Sequence, residues 1–358
     1  MKPITVAISS FFAFAFVVTV KAQTPAFTRT DFHVGSTDGV QVFVREVTSG
    51  EPRKGKVAVI LVHGARVLGL ASFDLEVANG SLAEEIARNG HPVYVMDARG
   101  YGQSTRPAAL DQRAEQNLPA VRGHEVVRDI EAVVREVKRR NHSDQVALFG
   151  WATGGMWSGF YASLHPEEVS HLILLNALYG GSSHHSILGH GSSFEDRKRP
   201  GVFDAKSVGA YAWSDGSSVL APWDRSIPDK DKTNWRDPKV AEAYREAALA
   251  SDPAAATHQP PAMRAPTGAI EDSFYQAIGR QLYDASSITA NVLIVRAEND
   301  FWSRPEDAET LAQHLTRAHT VKVLQIPHAT HFVHLDRPEH GRDLLISAVR
   351  EFLEISRP

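Results

Sequence analysis

From Lys56 onward, short runs of apolar and mostly β-branched residues alternate with longer stretches of amphipathic, helical spacing. A strand that reads as an unbroken apolar run has to be covered on both faces. Repeating such strands with helices between them builds a parallel sheet from βαβ units. Residues 57–62, 92–96, 146–149, 172–175, 292–295 and 321–326 are the predicted strands. Val126, Ile130, Val133, Val134 and Val137 keep helical spacing and predict a helix over 124–139, and a second amphipathic helix over 339–354 closes the chain. Ahead of the first parallel strand, segments 32–34 and 40–47 alternate around Asp38-Gly39, the pattern of an antiparallel hairpin at the start of the sheet.

The rhythm breaks between Asn176 and Ser287, where no strand pattern is found and Gly, Ser, His, Pro and Trp punctuate loops and short helices. This stretch reads as a cap inserted over the C-terminal edge of the sheet. It divides the chain into a first core segment, 23–178, the cap, 179–287, and a second core segment, 288–358. A length of 358 residues suits one large α/β domain carrying such an insertion.

Residues 1–22 form a separate unit. Lys2 gives a positive start, residues 4–20 are apolar but interrupted by Thr5, Ser9, Ser10 and Thr19, and Ala22 supplies a small residue before Gln23. These are the parts of a secretory signal peptide, cleaved near Ala22, and the run is short for a span of about 20 apolar residues. The expected destination is the periplasm or the medium, with no stable membrane anchor after cleavage. The chain has no cysteine, which excludes disulfides, thiolate metal sites and a cysteine nucleophile. Lys plus Arg at 38 against Asp plus Glu at 42 gives a net charge of −4, so no basic excess exists to neutralise the phosphates of a nucleic-acid partner.

Gly150-Trp151-Ala152-Thr153-Gly154-Gly155 directly follows a predicted strand and directly precedes the helical pattern of 156–164. A nucleophile elbow has this context and this glycine spacing, because small neighbours let a strained strand-to-helix turn lift one side chain above the sheet. The residue in that slot is Ala152, whose methyl group cannot attack a substrate. With His63-Gly64, the turn Asp97-Ala98-Arg99-Gly100-Tyr101-Gly102-Gln103-Ser104, Asn299-Asp300 and Thr330-His331-Phe332, the chain resembles the α/β-hydrolase superfamily over nearly all of its length after the leader.

That resemblance implies a mostly parallel eight-stranded sheet with helices on both faces and an inserted cap. It implies a catalytic triad in the order nucleophile, acid, histidine: Ala152 where serine is expected, Asp300 to orient the imidazole, and His331 as general base. Glu298 and Asp307 are the weaker stand-ins for the acid. The oxyanion hole falls to the backbone N–H groups of Thr153 and Ala65, with Arg66 the nearest rival to Ala65. His63 reads as a structural hydrogen-bonding residue. Neither a metal nor a cofactor is implied: the run His328, His331, His334 lacks the i, i+4 spacing of a helical zinc pair, and His184, His185 and His190 read as solvated loop residues with no acidic cluster to complete a coordination shell.

Trp213 and Trp223 in the cap, Trp151 at the elbow, Trp302 after the acid, Tyr179 and Arg66 are the candidate substrate contacts, and the aromatic content suits an apolar or aromatic molecule. The expected function is therefore a secreted hydrolase of a small to medium carboxylic ester or lactone. Ala152 marks either a serine-to-alanine substitution introduced into an active enzyme or a natural chain that has lost catalysis and binds small molecules. Aspartate, the nucleophile of dehalogenases and epoxide hydrolases, is the other residue that could have stood there, and amidase and carbon–carbon hydrolase chemistry would use the same triad.

Overall fold

The computed structural model describes residues 26–50 and 55–356. The proposed leader, 1–22, lies outside the described residues. Ten strands are assigned within them: β1 (Phe27–Gly35), β2 (Gln41–Ser49), β3 (Val59–Val62), β4 (Val93–Met96), β5 (Val146–Trp151), β6 (Val169–Leu175), β7 (Tyr211–Asp215), β8 (Ala262–Pro266), β9 (Asn291–Asn299) and β10 (Thr320–Thr330). Eight of these make one sheet in the order β1-β2-β4-β3-β5-β6-β9-β10. The hairpin β1–β2 and the β2–β4 pair are antiparallel, and every later pair in the sheet is parallel.

The apolar runs make a two-sided core. Val59, Leu61, Val93, Val95, Phe149, Ile173, Leu175 and Val295 pack on one face, while Ile60, Val62, Tyr94, Met96, Leu148, Leu172, Leu174 and Ile294 pack on the other. Every residue of β3, β4 and β6 is buried, which is why these strands read as continuous hydrophobic stretches and not as alternations. The long helix Gly123–Asn141 covers one face through Val126, Ile130, Val133, Val134 and Val137, the residues whose spacing predicts it. The closing helix runs from Arg342 to Leu353 after a short 3₁₀ turn at Pro338–His340.

One expectation fails in the inserted segment. The stretch between Asn176 and Ser287 does contain strands: β7 and β8 pair antiparallel as a two-stranded ribbon separate from the main sheet. The final strand also runs further than its apolar core, reaching Thr330 through a register shift between Ile326 and Thr330, so that His331 follows it directly. Among the described residues no helix is long and apolar enough to cross a membrane.

Candidate active site

In a parallel sheet the loops leaving the C-terminal ends of the strands converge on one edge, and functional groups collect there. Here β3 delivers His63-Gly64, β5 delivers Ala152, β9 delivers Asp300 and β10 delivers His331.

The turn at Ala152 is strained: its φ is 52° and ψ is −115°, a conformation that residues with a Cβ rarely adopt. The surrounding glycines make it possible. A Cβ on Gly150 would lie 2.3 Å from the Gly154 carbonyl oxygen, and one on Gly154 would lie 2.1 Å from the Val62 carbonyl oxygen. Helix Thr153–Leu164 starts immediately after, so the backbone N–H groups of its first turn point back toward the Ala152 slot.

His331 Nδ1 lies 2.6 Å from Asp300 Oδ1. The carboxylate is fixed in turn by the backbone N–H of Trp302 at 2.9 Å, and by the backbone N–H of Ser303 at 2.8 Å together with the Ser303 hydroxyl. Both residues are buried, at 8% and 5% exposed for Asp300 and His331. With Nδ1–H committed to the carboxylate, Nε2 of a neutral ring is left as the basic atom. The His331 carbonyl accepts from Trp151 Nε1 at 3.0 Å and from Asn176 Nδ2 at 3.1 Å. Asn176 also accepts the Ala297 N–H at 2.8 Å, tying the end of β6 to β9 and to the histidine loop. Sequence reasoning missed Asn176, and an asparagine one residue past an apolar strand carries no signal that separates it from a turn.

The other acids are used elsewhere. Asp307 accepts from the N–H groups of Tyr179, Gly180 and Gly181 and from Arg304, and Glu298 accepts the His328 N–H at the surface. His63 is a structural residue: Nδ1–H donates to the Gly64 carbonyl at 2.6 Å, Nε2 accepts the Ala98 N–H at 3.0 Å, and burial pushes its pKa down to about 4. His328 is exposed while His334 is fully buried against Trp151, so the run of three histidines does not converge. Among the described residues no group of three or more His, Cys, Asp or Glu side chains could hold a metal ion.

Ala152, His331, Ala65 and Thr153 line one cavity of about 190 Å³. The Ala65 N–H donates to Thr153 Oγ1 at 3.1 Å, so one of the two candidate oxyanion donors is occupied by a hydroxyl beside the other. Of the residues proposed to contact substrate, Arg66, Trp151 and Trp302 line this cavity. Three others do not. Trp213 is 38% exposed on β7 and packs on His258, Trp223 stacks on Phe332 and spends its indole N–H on Asp336, and Tyr179 bonds His314 Nδ1 in the core on the other face. The wall is completed by residues that had no distinguishing pattern in the sequence, among them Leu188, Arg225 and Tyr244, and by Phe301 and Phe332 flanking the acid and the histidine. His185 is likewise not a solvated loop residue. Its Nδ1 accepts the N–H groups of Ile187 and Leu188 at 3.1 Å and Nε2–H donates to the Trp302 carbonyl at 2.9 Å, which pins the loop carrying Leu188 over the cavity.

An acid-oriented histidine beside a strained strand-to-helix turn, at the C-terminal edge of a mostly parallel sheet, defines a class of enzymes that work through a side-chain nucleophile at the turn. The chain belongs to the alpha/beta hydrolase fold family, whose sequence profile matches residues 57–338. It is 23% identical over 310 residues to the proline iminopeptidase PfmaB of Pestalotiopsis fici, covering 83% of this chain and 91% of that protein. Among solved structures it resembles a thermophilic esterase from Thermogutta terrifontis, with a TM-score of 0.56 at 18% identity over 91% of this chain and 98% of the other. It also resembles the enol-lactonase from Burkholderia xenovorans LB400, with a TM-score of 0.56 at 16% identity over 90% and 99%.

Proposed function

We propose that this fold is that of a serine hydrolase acting on a carboxylic ester or lactone, represented here by its alanine form, in which the attacking hydroxyl is missing and turnover is lost. The observation that carries this reading is that His331, bonded to Asp300 from behind, lines the same cavity as a residue held at φ 52° on the elbow. A chain that keeps a strained turn, an oriented imidazole and two N–H donors beside it has every part of an acyl-transfer site except the nucleophile. With serine at 152, His331 Nε2 takes the hydroxyl proton as Oγ attacks the carbonyl carbon. The oxyanion is met by the Thr153 and Ala65 N–H groups, the latter released from Thr153 Oγ1. Protonated His331 then gives its proton to the leaving alkoxide, and water repeats the sequence on the acyl-enzyme.

The experiment is Ala152→Ser assayed against a panel of short esters and lactones, together with labelling by a fluorophosphonate. Hydrolysis and labelling in the serine form, with neither in the alanine form, is the expected result. A folded serine form that is inert in both assays overturns the reading and favours a second one, a small-molecule binding protein, which Ala152 itself supports as the sequence stands. Export belongs to the same proposal, and N-terminal sequencing of the protein recovered from the producing cells should begin at Gln23.

A further inference from the structure

The apolar cavity holds a cation with no countercharge. Arg66 follows the His63-Gly64 loop with φ at 81°, a backbone region that non-glycine residues avoid, and it lines the cavity. Its two hydrogen bonds both leave from Nη2, to the Ser218 carbonyl at 3.0 Å and to Ser214 Oγ at 3.3 Å, and Nε and Nη1 have no partner among the described residues. A guanidinium stays charged in proteins and offers five donors, and in this half-buried side chain most of them remain free to take an anion. Burial, the largest influence on it, pulls its pKa down, and the nearby Arg225 pushes the same way. Arg225 lies over the Phe301 ring, 4.9 Å from its centroid, and lines the same cavity. The lining therefore includes two arginines and no aspartate or glutamate, in a chain whose net charge is −4.

From this we infer that Arg66, aided by Arg225, is a specificity-determining anion subsite, and that the substrate is an ester or lactone carrying a free carboxylate. A carboxylate between the two guanidinium groups would fill the open donors of Arg66 in forked geometry and relieve the repulsion between the cations. The apolar remainder of a cavity of about 190 Å³ then has room for little more than one ring or a short chain; an apolar cavity of roughly 150 Å³ suffices for benzene. This assignment rests on the hydrolase reading for the word ester but not for the anion site itself, so the test is made on binding.

Calorimetric titration of the Ala152 protein with phenylacetate and with its neutral counterpart phenylacetamide separates the two questions. A hydrogen-bonded charge contributes about 1.5–3 kcal/mol, so phenylacetate should bind roughly ten- to a hundredfold more tightly than the amide. Arg66→Gln should bring the ratio of phenylacetate to phenylacetamide affinity down to about one, and Arg225→Gln should reduce it. Equal affinities, no saturation by phenylacetate at millimolar concentration, or a preference that survives Arg66→Gln because His331 or the oxyanion donors hold the anion, would each overturn the assignment. None of these outcomes depends on whether Ala152→Ser hydrolyses an ester.

Discussion

Asp300 Oδ1 stands 2.6 Å from His331 Nδ1, and its carboxylate is held from behind by the backbone N–H groups of two successive residues, Trp302 and Ser303. Two neighbours thus fix the orientation of the side chain that bonds the His331 imidazole. In the Ala152→Ser background, Asp300→Asn should lower kcat by about 10⁴-fold, because an amide facing Nδ1 favours the wrong tautomer of the base. The Ser303 N–H can still donate to the amide oxygen at the Oδ2 position while the Trp302 N–H loses its acceptor at Oδ1, so circular dichroism should change little and the unfolding midpoint should fall only modestly. A loss of turnover below tenfold would remove Asp300 from the triad.

His328 and His334 flank His331 at equal distances in the sequence, but the structure makes their substitutions unequal. His328 carries an exposed side chain, and His328→Ala should stay within about 0.5 kcal/mol of the parent in stability and leave turnover of the serine form unchanged. His334 packs 4.5 Å from the Trp151 ring, centroid to centroid, with no exposure. His334→Ala opens a void behind the elbow and should cost roughly 2–4 kcal/mol by denaturant titration. If His328→Ala silenced the serine form and His331→Ala did not, the base would have to be moved.

Adding and removing one methyl group at the elbow should have opposite effects. Gly154→Ala puts a carbon 2.1 Å from the Val62 carbonyl oxygen, where only backbone movement can relieve it, and should cost at least about 3 kcal/mol. Ala152→Gly removes a Cβ from a conformation that glycine tolerates better and should stabilise the fold by roughly 1 kcal/mol, or about 2 °C in Tm. Finding Ala152→Gly destabilising would mean that the turn is not under strain.

The parts of the fold legible in the sequence were those where one physical signal acts alone. The central strands β3, β4, β5 and β6 are buried on both faces, so their apolar runs stand out, and Gly150, Gly154 and Gly155 mark a turn that side chains at those positions would block. The ribbon β7–β8 gives no such signal. Tyr211–Asp215 and Ala262–Pro266 are five residues each, one ends in proline, and their pairing is backed by Arg264, which Asp252 anchors at 2.7 Å and which faces the Trp213 ring. The tryptophans misled for a related reason. Trp151, Trp213 and Trp223 look alike in a sequence, and only tertiary structure decides that one lines the cavity, one covers His258 at the surface and one stacks on Phe332. The polar character of the cavity depends on Arg66 and Arg225, 159 residues apart, whose common destination no local pattern encodes.

Asp336 is buried behind the histidine loop. It accepts from Trp223 Nε1 at 2.8 Å and from the Thr330 hydroxyl at 2.6 Å, and burial pushes its pKa up to about 7 from an ordinary value of 3.8. Between those two values the folded chain holds a proton at this site that the unfolded chain has released. Stability from this group is therefore fully present below pH 3.8 and is lost progressively as pH rises toward and through 7. His63 and His334, whose pKa values burial depresses, act in the opposite sense: their contribution is present above an ordinary histidine pKa and lost as pH falls. The parent profile is the sum of these opposing slopes, so the measurement is a difference. Asp336→Asn keeps an acceptor for the Trp223 indole and carries no titrating proton. Its stability relative to the parent, from urea titrations between pH 4.5 and 8, should improve steadily as pH rises. A difference that stays flat across that range would show that Asp336 titrates as an ordinary carboxylate despite its burial.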